Sequence, residues 1–516
     1  MKYDVLVVGA GSAGCVLAGR LSEDPETTVL VVEAGSDWVE GKLDDEFRYT
    51  RGYYKWDIDK EVPRSWPGLT AVRTHAQPRG RYLRGMGYGG SSVINGACIL
   101  RPPLEEFDDW ARTGLRGWGR EEVLRVFNDI ERDIEYGDAS YHGADGPLPI
   151  ARVSESDWGD MDHIMRDAAL EVGHPWERDL HKPGVVGASI CPQNIVDDQR
   201  VTSADAFIGD ARHRENLAFL FDAIVDTVVF DGDRAIAARV IREGRIETIE
   251  ADEVVLAAGA VHSPLILQRS GIGPRPLLDQ HGISIRRDLP VGLHMQDHAG
   301  IEVSTVARAA MRQPVVGSKR GNVIVRFSSG LAGVGDLAIK ALNVDEDTVS
   351  ASVLVSLEQT FSFGTVAITS SDPRALPEID FNLLSDERDR ERMRLLYRHA
   401  LDIFHSDAWL SRIASVRHNG KDLPPGDVSD DELDAWLDTA VRDTAHMTSS
   451  CRMGGEGDAF AILDSACRVR GFHRLRVADA SSLPTVCRAN AHLTVMMLAR
   501  RVAELIEADR RVAKTA

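Results

Sequence analysis

The first apolar run of the chain is Tyr3–Val8, reading YDVLVV. It is continuous rather than alternating, the pattern of a strand buried on both faces of a parallel sheet. The run ends at Gly9-Ala-Gly11-Ser-Ala-Gly14, CVLAGRLSE follows with helical spacing, and a second apolar run, Val29–Val32, closes on Glu33. Strand, glycine turn, helix, strand and acid thus follow one another in a single unit, which predicts a dinucleotide-binding βαβ fold. Further along, the texture changes. Ile301–Val306, Asn322–Phe327, Ser350–Leu357 and Gly364–Ser370 carry β-branched residues between turn signals and predict strands. Glu387–Phe404 and Asp431–Val441 have the spacing of polar-faced helices.

Composition narrows this picture. A chain of 516 residues exceeds one compact core, so two large domains are expected. The formal net charge of −20 repels nucleic acid and anionic membrane surfaces, and neither is expected as a partner. The six cysteines, Cys15, Cys98, Cys191, Cys451, Cys467 and Cys487, are scattered without a CxxC pair, which argues against a disulfide framework or a zinc site. The chain enters a strand pattern by Tyr3, leaving no room for a signal peptide, and no apolar run is long enough to span a membrane. A cytoplasmic location is the expectation.

The glycine turn has a chemical purpose. Gly9 permits the tight turn, Gly11 lets the backbone approach a pyrophosphate, and Gly14 allows close packing of helix on strand. The helix N-terminus, with Ser12 and Ala13, then offers N–H groups and a positive dipole end to phosphates. Glu33, followed by Ala34, stands at the distance expected of a carboxylate that accepts hydrogen bonds from a ribose diol. The fingerprint alone does not separate NAD from FAD.

Further motifs do. Residues 84–96 read RGMGYGGSSVING, 259–273 GAVHSPLILQRSGIG, 289–298 LPVGLHMQDH, 446–454 HMTSSCRMG and 475–497 LRVADASSLPTVCRANAHLTVMM. With the N-terminal fingerprint they form six ordered motifs that resemble the glucose–methanol–choline (GMC) oxidoreductases, from residue 3 to about residue 505. The resemblance implies an α/β fold, α+β overall: a Rossmann-like FAD-binding domain with a second, substrate domain built on an antiparallel sheet covered by helices. The FAD-binding domain is expected to be discontinuous, from residues 1–100, 200–289 and 444–516. Residues 101–199 and 290–443 would form the substrate-binding domain and connecting segments, with junctions near Arg101, Arg200, Leu289 and Thr444.

The resemblance also assigns roles. Gly89, Gly90, Ser91 and Asn95 match the segment that holds pyrophosphate and flavin, and Val225 the residue whose backbone meets the adenine. Ala258 joins the expected cofactor-binding set. Asp479 and Ala480 match the pair at the phosphate and ribityl region. His492, Leu493 and Thr494 match the helix start against the flavin pyrimidine edge, where a positive dipole end suits the charge of reduction. Gly96 and Ala97 should lie near flavin N5. Two departures stand out. Met86 and Tyr88 replace the family's usual basic and aliphatic residues, and Ile94 stands where some members carry a histidine linked to FAD, so the FAD is expected to be non-covalent.

Alcohol oxidation needs a proton acceptor, a carbinol C–H facing flavin N5 and stabilisation of the developing alkoxide. His446 matches the family's base, and His492 is assigned to the second reaction-centre position, occupied by His in some members and Asn in others. His298 and His262 read as structural hydrogen-bonding residues, and Cys451 and Cys487 as buried packing. Arg200, Ser203 and Ala204 match a motif at the domain crossover. Glu105, Glu106, Asp108 and Asp109 read as a solvated helix start, and no ligand cluster suggests a metal. The implied reaction is oxidation of a small-molecule alcohol to the carbonyl, with oxygen, a quinone or another redox partner as electron acceptor. The alternatives are a FAD-containing non-redox lyase of the hydroxynitrile lyase type and a flavin-dependent fatty-acid decarboxylase. The second is disfavoured by the histidine pair and the lack of a long apolar segment.

Overall fold

A computed structural model describes residues 2–38, 43, 45–48, 62–312, 321–343 and 351–515. Val5, Val7, Val29 and Val31 are buried, as the continuous apolar runs predict, because their strands lie side by side inside one sheet. That sheet has seven strands. Leu217–Leu220, Val29–Val32, Tyr3–Val8 and Arg245–Leu256 run parallel, with Leu475–Val477 parallel against Arg245–Leu256. Arg234–Arg242 and Ala223–Asp231 extend it as antiparallel strands. The helix Ser12–Leu21 buries Ala13–Gly19 against the C-terminal helix Ala491–Thr515, whose Met496, Met497, Leu498, Val502 and Ile506 are fully buried.

The second layer is an eight-stranded antiparallel sheet. Its central strands are Ala299–Ala307, Ser352–Leu357, Leu337–Leu342 and Val323–Phe327, with Gly187–Ile190 at one edge and Ile413–His418 with Lys421–Asp422 at the other. Arg442–Asp443 pairs with the start of Ala299–Ala307, which places the next residues, Thr444–His446, beside this sheet. The helix Glu387–Phe404 lies as expected from its spacing, buries Met393, Leu396, Tyr397 and Phe404, and covers the sheet. The predicted strand starting at Ser350 begins at Ser352; Ser350 itself lies outside the described residues. Gly364–Ser370 shortens to Thr365–Ala367, and the second helix runs Asp430–Ala440.

Two expectations change. Leu104, Phe107, Trp110, Trp118, Val126, Phe127 and Ile150 pack into the core of the parallel sheet, so much of 101–199 sides with the nucleotide layer. The acidic stretch 105–109 does begin a helix, Glu105–Arg112, but Glu106 is buried rather than solvated, held by the backbone N–H and guanidinium of Arg488. Among the described residues, no helix is long and apolar enough to cross a membrane.

Candidate active site

Between the two sheets lies a cavity of about 530 Å³, within the ordinary range of ligand pockets. Three helix starts open onto it: Gly11–Ala13, Gly90–Ser91 and Ala491–His492. Each brings N–H groups without an intrahelical acceptor and a positive dipole end. The close approaches require glycine. Gly9 has φ +107°, and a Cβ on Gly14 would sit 1.9 Å from the Gly9 carbonyl oxygen, so the turn and helix could not meet with any side chain there. A Cβ on Gly11 would meet nothing within 4 Å, so that face is open to a ligand. This cradle of glycines and helix N-termini fits the phosphates of a dinucleotide such as FAD.

Most of the expected cofactor residues line this cavity: Gly9, Gly11, Ser12, Ala13, Glu33, Ala34, Gly90, Ser91, Asn95, Gly96, Val225, Ala258, Asp479, Ala480 and His492. Gly14, Gly89, Ala97, Leu493 and Thr494 lie behind its wall. Gly89 donates its N–H to Ala10 O at 2.8 Å, and Leu493 and Thr494 are fully buried in the helix. Tyr88 faces away from the cavity and packs against Trp38, Phe219 and Phe221. Two carboxylates are more occupied than expected. Glu33 accepts backbone N–H bonds from Ala10 (2.7 Å), Gly35 (2.9 Å) and Gly87 (2.9 Å), so it ties the glycine turn to the 85–90 loop while facing the cavity. Asp479 accepts from Gly259 N, Ser263 Oγ and Ser481, pinning two loops to one another.

His446 also lines the cavity, but the side chain that meets it is Asn490, not His492. Asn490 Nδ2 lies 3.1 Å from His446 Nε2. His492 is tied into the cofactor side instead. Arg200 donates to Asn95 Oδ1 at 2.5 Å, which turns the Asn95 amide nitrogen toward His492 Nδ1 at 3.1 Å, and His492 Nε2 reaches Ser203 Oγ at 3.0 Å. Both ring nitrogens therefore have protein partners. An amide N–H can only donate, so Nδ1 accepts and Nε2 carries the proton. Burial lowers the His492 pKa to about 4, with Arg200 adding to the effect, and the ring is neutral. Asn490 was missed by residue type. It stands two residues before His492, just ahead of the helix that begins at Ala491.

A second network fixes the proton on His446. The backbone carbonyl of Cys487 sits 2.8 Å from His298 Nε2, and a carbonyl can only accept, so that nitrogen carries the proton. His298 Nδ1 is then an acceptor, 3.0 Å from His446 Nδ1. Thr444 Oγ1 donates to Asp297 at 3.3 Å and offers a lone pair to the same His446 nitrogen at 2.8 Å. Both partners require a proton on His446 Nδ1, which leaves the lone pair on Nε2, toward Asn490 and the cavity. Burial first, with the positive charges of Arg84 and Lys340 adding to it, holds the His446 pKa well below its usual value, so this lone pair is available at neutral pH. Asp297 is the hub beneath, accepting N–H bonds from His298 and His446. Burial, with repulsion from Asp443, pushes its pKa up to about 7. His298 was expected to be a structural hydrogen-bonding residue, and it touches the candidate base directly. Asp297, His298 and His446 bring ligand-type atoms within 4.8 Å, a grouping sequence alone did not reveal, and their mutual bonds account for it.

Of the remaining singled-out residues, His262 lines the cavity as well. His262 stacks on Trp66 at 3.9 Å, and its pKa is lowered to about 3, first by burial. Cys451 and Cys487 are buried. Arg200 also reaches Phe47 O and Ser92 O, joining the crossover segment to the glycine-rich loop.

Comparison with known proteins finds relatives along nearly the full length of the chain. Family models described as GMC oxidoreductase match residues 3–300 and 360–499. A 5-(hydroxymethyl)furfural oxidase of a Methylovorus species is 34% identical, with 98% of each chain covered. An oxygen-dependent choline dehydrogenase of Photobacterium profundum is 30% identical, covering 98% of this chain and 93% of its own. The crystal structure of pyridoxine 4-oxidase from Mesorbium loti superposes with TM-score 0.88 at 28% identity, covering 98% of this chain and 99% of that one. The chain belongs to the GMC oxidoreductase family.

Proposed function

We propose that this protein is a FAD-dependent oxidoreductase that converts the CH–OH group of a small alcohol to the carbonyl, with His446 as the base. The observation that carries the reading is the His446 Nε2–Asn490 Nδ2 pair, 3.1 Å apart on the wall of the cavity. FAD would be held by the glycine turn, the Gly90–Ser91 helix start, Glu33 and the Asp479–Ala480 segment, and when bound it supplies hydride acceptance. The protein's residues do the rest. His446 Nε2 takes the hydroxyl proton. The Asn490 amide donates to the same oxygen as negative charge develops there, an interaction stronger in the transition state than in the ground state. His298 and Thr444 keep His446 in the tautomer that can accept. His492, neutral and tied to Asn95 and Ser203, lies on the cofactor side and orients the helix start.

The FAD is proposed to be non-covalent, because Ile94 stands at the position of the linking histidine. Dioxygen is proposed as electron acceptor; two of the relatives named above are oxidases and the third is oxygen-dependent, which also favours redox chemistry over the lyase reading. The test is an anaerobic alcohol screen. Active alcohols should bleach the yellow flavin, air should restore it, and acid precipitation should leave the colour in the supernatant. Enzyme that converts substrate without bleaching would support the lyase reading, and colour retained in the pellet would refute non-covalent binding.

A further inference from the structure

Outside the base and its partners, a nucleophilic pair touches the cavity. Cys98 lines its wall, two residues past Gly96, and Cys98 Sγ lies 2.8 Å from Cys191 Sγ. The two sulfurs come from opposite halves of the molecule. Cys98 ends the glycine-rich loop that carries Asn95 and Gly96. Cys191 directly follows Gly187–Ile190, the edge strand of the antiparallel sheet. The backbones are held in place independently of the sulfurs: Ile99 N donates to Pro192 O at 2.9 Å, Cys191 N to Asn322 O at 2.8 Å, and Cys98 bridges Gln193. A disulfide needs its sulfurs about 2.05 Å apart, so closing the bond asks for a side-chain shift of under an ångström. Lys340 Nζ stands 3.6 Å from Cys191 Sγ, and an ammonium there favours negative charge on that sulfur. The other four cysteines are buried without such a pairing; Cys15 and Cys487, for instance, turn their thiols to the carbonyls of Ala10 and Ala489.

We propose that Cys98 and Cys191 are a modification site: a dithiol that hydrogen peroxide converts reversibly to a disulfide. Peroxide reaching the cavity meets Cys98. The Cys98 thiolate attacks one peroxide oxygen, the O–O bond breaks, and Cys98 becomes a sulfenic acid as hydroxide leaves. The Cys191 thiolate then attacks the Cys98 sulfur and expels a second hydroxide. The two thiol protons convert both hydroxides to water, so two thiols and one peroxide give one disulfide and two waters, with two electrons passing from sulfur to oxygen. The consequence is protective. A sulfenic acid left alone proceeds to the irreversible sulfinic acid, whereas capture by Cys191 stops at a state that thiols reverse. The need for such protection rests on the reading that this site reduces dioxygen; the sulfur chemistry itself does not.

The holoenzyme is therefore tested with added peroxide and no alcohol. After treatment with equimolar peroxide, quenching with catalase and alkylation under denaturing, non-reducing conditions, digestion should yield a peptide linking Cys98 to Cys191. Dithiothreitol should abolish it and restore all six alkylatable cysteines. In Cys191→Ser, dimedone should trap a sulfenic acid at Cys98, and further peroxide should carry Cys98 to the sulfinic acid. Lys340→Met should slow cross-linking. Full alkylation of Cys98 and Cys191 after peroxide, or wild-type Cys98 accumulating as sulfinic acid without the linked peptide, would overturn the proposal. Failure of every alcohol to bleach the flavin would instead refute the proposed function and leave the linked peptide as the deciding result here.

Discussion

Asn490 and His492 are two residues apart, and the structure gives them opposite surroundings, so their substitutions should separate. Asn490 Nδ2 lies 3.1 Å from His446 Nε2, so an alcohol oxygen that gives its proton to His446 would also meet the Asn490 amide. Asn490→Ala removes one donor to the developing alkoxide. A donor of this kind contributes about 10²–10³ in rate, or roughly 2.7–4 kcal/mol. His492→Ala removes no group that meets the base. It strips hydrogen-bond partners from Asn95 Nδ2 and Ser203 Oγ, and each buried group left unsatisfied costs about 1–3 kcal/mol. Its effect should therefore appear as a lowered melting temperature and weaker FAD retention. The assay is stopped-flow anaerobic flavin reduction by a substrate alcohol, run with thermal unfolding of both variants. Asn490→Ala should hold its FAD and reduce it about 100-fold or more slowly; His492→Ala, reconstituted with excess FAD, should lose about tenfold or less. The opposite ranking would refute the assignment and return His492 to the reaction centre.

Glu33→Ala should release FAD and also destabilise the apoprotein, because three backbone N–H groups lose their acceptor; unchanged melting of the apoprotein would show that the carboxylate serves the ligand alone. Asp297 gives a pH signature. Its folded pKa of about 7 is raised above the unfolded value, so the native state holds this proton more tightly, and the stability penalty of the buried carboxylate is greatest above pH 7 and fades as pH falls toward 4. Asp297→Asn should therefore melt closer to, or above, the wild type at pH 8 than at pH 5. A constant difference between the two proteins across that range would show that the carboxylate does not titrate there.

Features set by local pattern were legible in the sequence. The buried runs at Tyr3–Val8 and Val29–Val32 and the helix Glu387–Phe404 follow from periodicity within a single element. The glycine cradle was legible because each glycine answers a close approach along a short stretch of chain. Features set by distant partners were not. Glu106 looks like a solvated helix-start residue until Arg488 arrives to pair with it. His298 looks structural until Thr444–His446 is placed beside the antiparallel sheet. His492 has the residue type of a reaction-centre group and lines the cavity, yet it is Asn490 that reaches His446, a contact set by how two distant segments meet. The Cys98–Cys191 contact joins positions 93 residues apart, and no spacing rule connects them.

The central claim is that His446 takes the alcohol proton, and the direct test is the rate of anaerobic flavin reduction in His446→Ala against the wild type. A positioned base of this kind contributes about 10²–10⁴. The account predicts a loss of that size with FAD still bound, since the cofactor cradle is built from the glycine turn and other segments. Reduction of the variant's flavin at the wild-type rate would contradict it.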